Sequence, residues 1–518
     1  MNSKKTLSVL LSVIWFVQLL IEVLTFGIIW KLDMLPALYL TVVTVLLMLL
    51  WLLVGGLLFL GKRPGIGRRV TALVLVVLIV FGCTGVSGMV IKLDRTMNNV
   101  TGKTEITTVM MVYVRADDPA EEIQDAANYT FAVLQNIGQE KTQQAMVALE
   151  NKFGAKLNTV SYEFASEMAD ALYSDEVDAI LINAAYAATL EDLNGYENFA
   201  TKTKVLHKMS IVELTTGSKN PQYSENPLTT RPVLGGDKSD PDDKVSATAE
   251  ITNTPFVVYL SGNDTRSTTL VTGRSDVNIL AVVNPETKQI LLVNTPRDYY
   301  VPHPLAPEGQ QDKLTHLGND GIACSIQGLE TLYDERIDFY AQINFTGFET
   351  LVDAIGGITV YFDSGFTALG ITEIYAGENY LNGEQALHVA RDRGSFVDGD
   401  HTRGRNQMKV IEAVMRKLVS GAIITNYTDI LNSLEGMFVT DFTMDDLSKL
   451  VKMQLSDLAT WNIQSYAVTG PSGEAKTYTA GYLSVVFPDE GSVAFGKELI
   501  DRVIAGEVLT DADVVYPG

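Results

Sequence analysis

Cysteine is scarce in this sequence, because its 518 residues contain only two, Cys83 and Cys324. Cys83 lies in a long apolar stretch, and Cys324 stands alone in the rest of the chain. A disulfide framework needs several cysteines outside the membrane, and a cysteine zinc site needs several thiolates. The composition therefore excludes a disulfide-stapled scaffold and a zinc finger.

Basic residues are few relative to acidic ones. Lys and Arg together number 39 against 62 Asp and Glu, which gives a net charge of -23. The first hundred residues hold nine basic and three acidic residues, so the remainder holds 30 against 59, a net charge of -29. Nucleic-acid binding draws mainly on phosphate neutralisation by Lys and Arg. We therefore expect no nucleic-acid partner. A local cluster of arginines in so acidic a chain would stand out as a candidate anion-binding site.

Long apolar runs, in contrast, are present near the N-terminus. They cover residues 7–29, 35–60 and 70–91, and each is near or above the roughly 20 residues that cross a hydrocarbon core. A cleavable signal peptide is the alternative for the first run, but this run is too long and lacks a small-residue cleavage site. The sequence predicts a transmembrane anchor of three helices.

The charges that flank these runs predict the orientation of the anchor. Basic residues precede the first run and separate the second from the third; they are Lys4, Lys5, Lys62, Arg63, Arg68 and Arg69. Because positive charge stays in the cytoplasm, we expect a cytoplasmic N-terminus. The chain is then a multi-pass protein of the cell membrane whose residues after about 92 are extracellular.

The part after the anchor has an α/β pattern. Alternating strand-like and helix-like stretches predict a small accessory α/β domain over residues 104–212, without a phosphate-binding glycine loop. Residues 213–252 are rich in Pro, Gly, Ser and charge, which is typical of a linker or loop. Continuous apolar strands over 253–425 predict a second α/β domain, with a sheet covered on both faces. Residues 426–518 either complete that domain or form another.

Two carboxylates follow neighbouring strands of the second α/β domain. Asp264 comes after the strand PFVVYLSG, and Asp276 precedes the strand DVNILAVVN. Carboxylates that converge at strand ends suit Mg²⁺, which takes one or two of them and fills its other positions with water or substrate phosphate. The alternative is that both residues are turn formers that hydrogen-bond their own backbone.

Further charged residues follow at the next strand end. The strand QILLVNTP ends in Arg297 and Asp298, and ligands gather at strand ends in open α/β sheets. A surface ion pair is the alternative for this dipeptide. In the segment DKLTHLG, Lys313 is a candidate anion contact, whereas His316 is interpreted as structural or helix-capping.

The densest signal is the segment ALHVARDRGSFVDGDHTRGRNQMKV, which holds several arginines between two helix-like stretches. Arginine is preferred where phosphate is bound through two parallel hydrogen bonds, because its guanidinium presents fixed donors and stays charged. The alternative is a pair of helix ends joined by ion pairs to Asp392, Asp398 and Asp400. The candidates for anion binding are Arg391, Arg393, Arg403, Arg405 and Gln407.

Together these residues predict phosphoryl transfer. The sequence offers carboxylates for a metal and arginines for phosphates, and it shows neither a Ser-His-Asp nor a Cys-His constellation. In phosphoryl transfer, positioning and charge neutralisation supply most of the catalysis. One carboxylate near the arginines could accept the proton of an attacking sugar hydroxyl. Asp264, Asp276 and Asp400 remain alternatives for that base.

The order of these segments resembles the LytR-CpsA-Psr family. The motifs GNDTR, GRSDVNIL, VNTPRDYYV, DKLTHLG, FTGFETLVDAIGGITV and HVARDRGSFVDGDHTRGRNQ follow one another as they do in that family. The match covers about a third of the chain, and the anchor with its accessory region is similar to capsule-associated members. The resemblance implies an α/β catalytic domain with a central mixed sheet flanked by helices.

The resemblance also implies an activity. Such enzymes move a glycopolymer, such as capsular polysaccharide or teichoic acid, from a polyprenyl-pyrophosphate carrier to peptidoglycan and release polyprenyl phosphate. The membrane lipid would carry the donor, and a muramic acid 6-hydroxyl would be the acceptor. The rival hypotheses are a non-catalytic protein that binds or senses the lipid phosphate, and a pyrophosphatase that uses water as the acceptor.

By family motif, the resemblance assigns roles to individual residues. Asp264 and Asp276 are expected to hold Mg²⁺, or Mn²⁺ in its place. A hydrophobic tunnel is expected for the prenyl chain, lined by residues such as Ile343, Phe345 and Phe348. The catalytic candidates are Asp276, Arg274, Arg391 and Asp400. The pyrophosphate clamp that the resemblance implies consists of Arg274, Arg297, Arg391, Arg393, Arg403 and Gln407, and Lys313 is added to it as the candidate anion contact named above.

Overall fold

The structure is a computed structural model. It describes residues 2–60, 65–100, 103–191, 193–216, 250–307, 309–392, 394–395, 399–420, 430 and 433–517. The described chain forms two compact units. One contains the described residues of Met1–Asn99, Ser420–Asn432 and Thr443–Ala459, and the other contains those of Val100–Val419, Ser433–Phe442 and Thr460–Gly518.

Three long helices dominate the first unit: α1 (Asn2–Leu32), α2 (Ala37–Phe59) and α3 (Ile66–Val100). Their segments Thr6–Leu32, Ala37–Phe59 and Ile66–Lys92 are long and apolar enough to cross a membrane. The prediction of three apolar helices is therefore confirmed, and it supports a membrane anchor.

Aromatic packing joins the first two helices of this anchor. The rings of Trp15 and Trp51 stack with their centroids 4.2 Å apart. A Cβ atom at Gly55 would lie 2.7 Å from the Trp15 ring, so only glycine leaves room for this contact. A later helix, α13 (Met444–Asp457), belongs to the same unit. It joins the turn after α1 through an ion pair between Lys452 and Asp33, with Nζ and Oδ1 2.7 Å apart.

The second unit begins with a five-stranded sheet. Its strands lie in the order β3-β2-β4-β1-β5, with β2 parallel to β3 and β4, and β1 antiparallel to β4 and β5. This is the βαβ pattern that the sequence predicts over 104–212. The strands are β1 (Lys103–Arg115), β2 (Thr130–Leu134), β3 (Asn158–Tyr162), β4 (Ala179–Asn183) and β5 (Thr203–Thr216). The helices are α4 (Gln139–Phe153), α5 (Ala165–Tyr173), α6 (Ala184–Leu190) and α7 (Phe199–Lys202).

A six-stranded mixed sheet forms the centre of this unit. Its order is β16-β11-β6-β7-β8-β17, with β11 parallel to β6 and β17 parallel to β8. The α/β class and the mixed sheet are as predicted. The strands are β6 (Phe256–Asn263), β7 (Ser275–Asn284), β8 (Gln289–Asn294), β11 (Phe339–Asn344), β16 (Phe438–Thr440) and β17 (Asn462–Ala467).

Helices cover both faces of the central sheet. On one face, alternate strand residues such as Val257 and Tyr259 pack in a buried core with α8 (Leu314–Leu317), α9 (Ile322–Tyr333) and α14 (Glu490–Ile504). The other face meets α10 (Phe345–Ala354), α11 (Gly383–Arg391) and α12 (Gly399–Leu418). Continuous apolar strands therefore bury both sets of side chains.

Short antiparallel ribbons surround this sheet. They pair β9 with β10, β12 with β15, β13 with β14 and β18 with β19. Their strands are β9 (Tyr300–Pro302), β10 (Gln311–Lys313), β12 (Ile358–Phe362), β13 (Phe366–Ala368), β14 (Thr372–Ile374), β15 (Gly377–Leu381), β18 (Ser472–Thr477) and β19 (Gly481–Val486).

The segment after residue 426 contributes directly to the central sheet. Its strands β16 and β17 are the two edges of that sheet, and α14 covers one face. This segment also packs against the five-stranded sheet and its helices, since Ala480 and Leu483 share their buried core. Tyr186 of α6 makes a further contact with the chain before α9, because it donates a hydrogen bond to Asp320 at 2.6 Å. The domain boundaries predicted from composition remain predictions, and most of the predicted linker at 213–252 lies outside the described residues.

Candidate active site

The antiparallel strands β6 and β7 bring two carboxylates to one end of the central sheet. Asn263 at the end of β6 pairs with Ser275 at the start of β7, across an irregularity in the register. Asp264 and Asp276 are the next residues on each strand. Burial raises the pKa of Asp264, and the negative charge of Asp276 adds to that rise, so the two carboxylates interact with each other.

Asp264 is paired with Arg274. The Nε and Nη2 atoms of Arg274 donate to Oδ2 of Asp264 at 2.8 and 2.5 Å. Both side chains are only 17% exposed. Burial raises the pKa of the Asp264 carboxyl above its ordinary value, and the Arg274 guanidinium opposes that rise.

Asp276 receives hydrogen bonds from three elements. Arg297 donates to Oδ1 at 2.5 Å, and the hydroxyl of Thr315 donates to the same oxygen at 3.3 Å. Arg403 at the start of α12 donates to Oδ2 at 3.4 Å. The chain after β8, the helix α8 and the helix α12 are thus tied to β7 at one carboxylate.

Lys313 does not reach this carboxylate. Its Nζ lies 3.2 Å from Oδ1 of Asp298, which is also 3.5 Å from Nε of Arg297. Lys313 therefore neutralises a buried carboxylate behind Arg297, and it lines neither of the two cavities described below. His316 is structural, as interpreted from the sequence, because its buried ring is hydrogen-bonded to Asp312 at 2.6 Å.

Arg391 lies at the C-terminal end of α11. This helix begins with a capping box in which Asn382 and Gln385 exchange hydrogen bonds. The guanidinium of Arg391 lies over the Phe345 ring, with the Cζ atom of Arg391 4.8 Å from the ring centroid. Gln407 of α12 donates to the backbone carbonyl of Ala390 at 3.1 Å. Gln407 therefore fixes the last turn of α11, which carries Arg391.

Other predicted site residues cannot be placed. Arg393 and Asp398 lie outside the described residues, and Asp400 lies in α12 but its side chain is not described. No ion pair of Asp392 is found among the described residues; its Oδ1 accepts a hydrogen bond from the backbone N–H of Leu369 at 3.2 Å. Its Oδ2 has no hydrogen-bond partner there.

An apolar cavity of about 250 Å³ opens beside these arginines. It lies between the sheet and helices α10, α11 and α12. Arg391, Arg403 and Asp276 line it together with apolar side chains. Ile343, Phe345 and Phe348, which were expected to line a lipid tunnel, are among them. The apolar lining includes Leu260, Ala341, Leu351, Leu387, Val410, Ile411, Val414, Met415 and Leu418.

A second cavity of about 290 Å³ adjoins the same cluster. Asp276, Arg403 and Gln407 line both cavities, whereas Arg297 and Arg405 line only the second. Its remaining walls come from β8, β17 and the chain that follows β17. The apolar cavity and the more polar second cavity thus meet at a cluster of arginine and carboxylate side chains.

The structure reveals two site residues that sequence reasoning missed. Thr315 contacts Asp276, but a threonine in a short helix has no distinctive pattern. Asn263 is fully buried; it donates to the carbonyl of Val271 at 3.0 Å and accepts from the backbone of Thr265 at 2.9 Å. Asn263 therefore holds the loop between Asp264 and Arg274 closed.

These features define an α/β protein with three apolar N-terminal helices and a cluster of arginine and carboxylate side chains beside an apolar cavity. The LytR_cpsA_psr family model matches residues 229–494, more than half of the chain. The protein therefore belongs to the LytR-CpsA-Psr family.

Several known proteins are similar to this chain. The polyisoprenyl-teichoic acid–peptidoglycan teichoic acid transferase TagU of Enterococcus faecalis is 38% identical over 198 residues, which are 38% of this chain and 64% of that protein. The chain thus spans less than two thirds of this relative. TagU of Halalkalibacterium halodurans is 33% identical over 244 residues, 46% of this chain and 77% of that protein. The crystal structure of B. subtilis TagV is 21% identical with a TM-score of 0.41, covering 50% of this chain and 99% of that one.

Proposed function

We propose that this protein is a phosphotransferase that moves a glycopolymer from a polyprenyl-pyrophosphate carrier to peptidoglycan and releases polyprenyl phosphate. The observation that carries this proposal is the position of Arg391. Its guanidinium lines an apolar cavity and lies over the ring of Phe345. A prenyl pyrophosphate has the matching form, an apolar chain that ends in an anion. The names of the TagU relatives, which are teichoic acid transferases, agree with it.

The arginines divide into two groups in this proposal. Arg391 forms no ion pair with a described residue, so its donors are available to a phosphate. Arg274, Arg297 and Arg403 hold the two carboxylates in place and add positive charge where phosphate oxygens would lie. Preorganised charge of this kind stabilises a phosphoryl-transfer transition state without reorganisation during the reaction.

The carboxylates fit a divalent cation. Asp264 uses Oδ2 for Arg274, and its Oδ1 makes no hydrogen bond to a described residue, so that oxygen can bind a metal. Asp276 lies close enough to influence the pKa of Asp264, and carboxylate oxygens suit Mg²⁺ or Mn²⁺. When bound, the cation would neutralise charge on the pyrophosphate oxygens. Asp276 lines both cavities, so it is the carboxylate that an attacking hydroxyl can approach.

The proposed reaction needs the site on the outer side of the membrane. The basic residues before α1 and between α2 and α3 support a cytoplasmic N-terminus and extracellular α/β domains. Peptidoglycan and the lipid-linked donor would then be partners on that side, together with membrane lipid. Transfer of a capsular polysaccharide rather than a teichoic acid is one form of this proposal.

A reconstituted reaction tests the proposal. Full-length protein in detergent is incubated with a polyprenyl-pyrophosphate oligosaccharide and a peptidoglycan oligomer, with Mg²⁺ or with EDTA, and products are measured by mass spectrometry. We expect a phosphodiester-linked product and polyprenyl phosphate, both dependent on the metal. Release of polyprenyl phosphate with water as the only acceptor would indicate a pyrophosphatase instead. Tight donor binding without turnover would indicate a non-catalytic lipid-phosphate binder.

A further inference from the structure

The five-stranded sheet contacts the chain that carries the two carboxylates. Its strand β1 pairs with the loop between Asp264 and Arg274, because Thr107 and Val271 form a parallel bridge. In the same contact, the backbone N–H of Thr272 donates to the carbonyl of Thr107 at 2.9 Å. The proposed function assigns no role to this sheet, although the sheet supports a loop of the active site.

A second contact joins α6 to the turn that follows α8. The hydroxyl of Tyr186 donates to Oδ1 of Asp320 at 2.6 Å. Asn183 donates to the carbonyl of Asn319 at 3.4 Å, and the amide of Asn319 donates to the hydroxyl of Thr189 at 3.4 Å. Tyr186 is 2% exposed and Asn319 is 1% exposed. Loss of one partner in such a buried contact leaves a polar group unsatisfied.

The turn after α8 leads directly to the active site. The backbone of Gly318 packs against the chain at Gly273 and Ser275, so closely that a Cβ atom there would lie 2.6 and 2.8 Å from their backbone atoms. Thr315, in α8 itself, donates to Oδ1 of Asp276 at 3.3 Å. A shift of this turn therefore moves both the start of β7 and the hydroxyl that contacts Asp276.

We propose that Tyr186 is a positioning residue of the active site, through which the five-stranded sheet fixes the position of Asp276. This inference rests on the proposed function, in which Asp276 is the carboxylate that an attacking hydroxyl can approach. Tyr186 lines neither cavity, and it acts through Asp320 and Thr315. A misplacement of about 1 Å at a reacting group can lower a rate about 100-fold.

The surroundings of Asp320 make Tyr186 the residue that holds this carboxylate. The side chain of Asp320 is only 8% exposed, and its Oδ2 lies 3.3 Å from Nε2 of His303. Neither of these two atoms has a hydrogen-bond partner among the described residues. The hydrogen bond from Tyr186 to a carboxylate is of the stronger, charge-assisted kind. Without it, the turn must move to satisfy a buried carboxylate.

Removal of the hydroxyl tests the role of Tyr186. We expect Tyr186→Phe to lower kcat for transfer about fivefold or more, with the KM for donor and acceptor unchanged within about twofold. Thr189→Val, which removes the acceptor of Asn319, should lower kcat about twofold to threefold. Leu149→Ala is the control for lost stability, because Leu149 is buried against the opposite face of the five-stranded sheet. It should lower the melting temperature at least as much as Tyr186→Phe and leave kcat unchanged within about twofold.

A double-mutant cycle separates positioning from general stability. Thr315→Val removes the hydroxyl that contacts Asp276. If Tyr186 acts through α8, the double variant of Tyr186→Phe and Thr315→Val should be no more than about twofold slower than Thr315→Val alone, because both changes break one path. Two losses that multiply would overturn the inference, since Tyr186 would then contribute only to stability.

Amide hydrogen exchange in the full-length protein supplies a measurement that needs no turnover. Tyr186→Phe should speed exchange about tenfold in peptides that cover residues 272–278 and 314–320, whereas Leu149→Ala should not. Unchanged exchange in these peptides of Tyr186→Phe would overturn the inference even if transfer is normal. A wild-type protein that transfers nothing would overturn the proposed function, and the exchange result would still decide whether the sheet holds the turn.

Discussion

Arg391 differs from Arg274, Arg297 and Arg403 in the group that holds it. Each of those three contacts a carboxylate, whereas Arg391 lies over the ring of Phe345. An aromatic face positions a guanidinium without occupying its hydrogen-bond donors. In the proposed function, the stacked Arg391 is therefore the arginine that can donate the most hydrogen bonds to a substrate phosphate.

Replacement of Arg391 tests this distinction. We expect Arg391→Ala to reduce transfer by about 100-fold or more, since loss of a donor to developing charge costs roughly 3 kcal/mol. Arg391→Lys should restore little activity, because an ammonium lacks the planar pair of donors. Both variants should melt within about 2 °C of the wild type, because the side chain is exposed. Undiminished transfer by Arg391→Ala would show that the phosphate lies elsewhere.

Glu330 links the stability of the second unit to pH. Burial raises the pKa of this carboxyl to about 7, although the backbone N–H of Ile337 donates to it at 2.9 Å and opposes the shift. Because the folded-state pKa lies above the ordinary glutamate value of 4.5, the stability associated with the protonated form is fully present below about pH 4.5. It is lost as the pH rises through about 7.

Glu330→Gln removes this titration while it keeps an acceptor for Ile337. We expect the variant to gain stability over the wild type as the pH rises from 4.5 to 8, by up to about 3 kcal/mol. Thermal unfolding of the full-length protein at a series of pH values measures the difference. Glu378→Gln, at an exposed position of β15, is the control. A pH-independent difference would mean that Glu330 titrates normally.

At the scale of elements, the contact between β7 and the turn after α8 positions Asp276. A Cβ atom at Gly318 would lie 2.6 Å from the carbonyl oxygen of Gly273 and 2.8 Å from the backbone nitrogen of Ser275. Both are backbone atoms that flank Arg274, so they cannot move without displacing the site.

Gly318→Ala is therefore expected to affect both folding and function. Overpacking of this kind costs about 1–3 kcal/mol, and displacement of the start of β7 should lower transfer about tenfold or more. Thermal unfolding and the transfer assay measure the two effects. Gly85→Ala in α3, where a Cβ atom would meet nothing within 4 Å, should change neither. Normal activity in Gly318→Ala would show that β7 tolerates the shift.

The sequence predicted the elements of the site better than their contacts. Strand ends can be located from apolar runs, so the convergence of Asp264, Asp276 and Arg297 was predictable. The partner of each arginine depends on packing between helices and strands, so the position of Lys313 behind Arg297 was not. The pairing of β17 with β8 could not be predicted either, because their paired residues Asn462 and Gln289 are 173 positions apart.

At the scale of the whole molecule, the charges around the three apolar helices predict the side of the membrane on which the acidic domains lie. The charge of the chain outside the first hundred residues is -29, while the connections predicted to be cytoplasmic are basic. This asymmetry predicts the orientation, and cysteine labelling can measure it.

A cysteine at Ser161, which is exposed in β3, should react with a membrane-impermeant maleimide in intact cells whose wall has been removed. A cysteine at Lys5 should react only after the membrane is permeabilised. The native Cys83 and Cys324 are buried, and burial raises the pKa of the Cys324 thiol, so the background should be low. The reverse labelling pattern would place the site in the cytoplasm and contradict the proposed function.

The position of β17 in the chain has a consequence for biosynthesis. This strand walls the second cavity, yet it is the last strand of the central sheet to leave the ribosome. A nascent chain that already contains Arg391 and both carboxylates still lacks that wall of the cavity. Under the proposed function, a chain terminated before β17 would therefore not catalyse transfer.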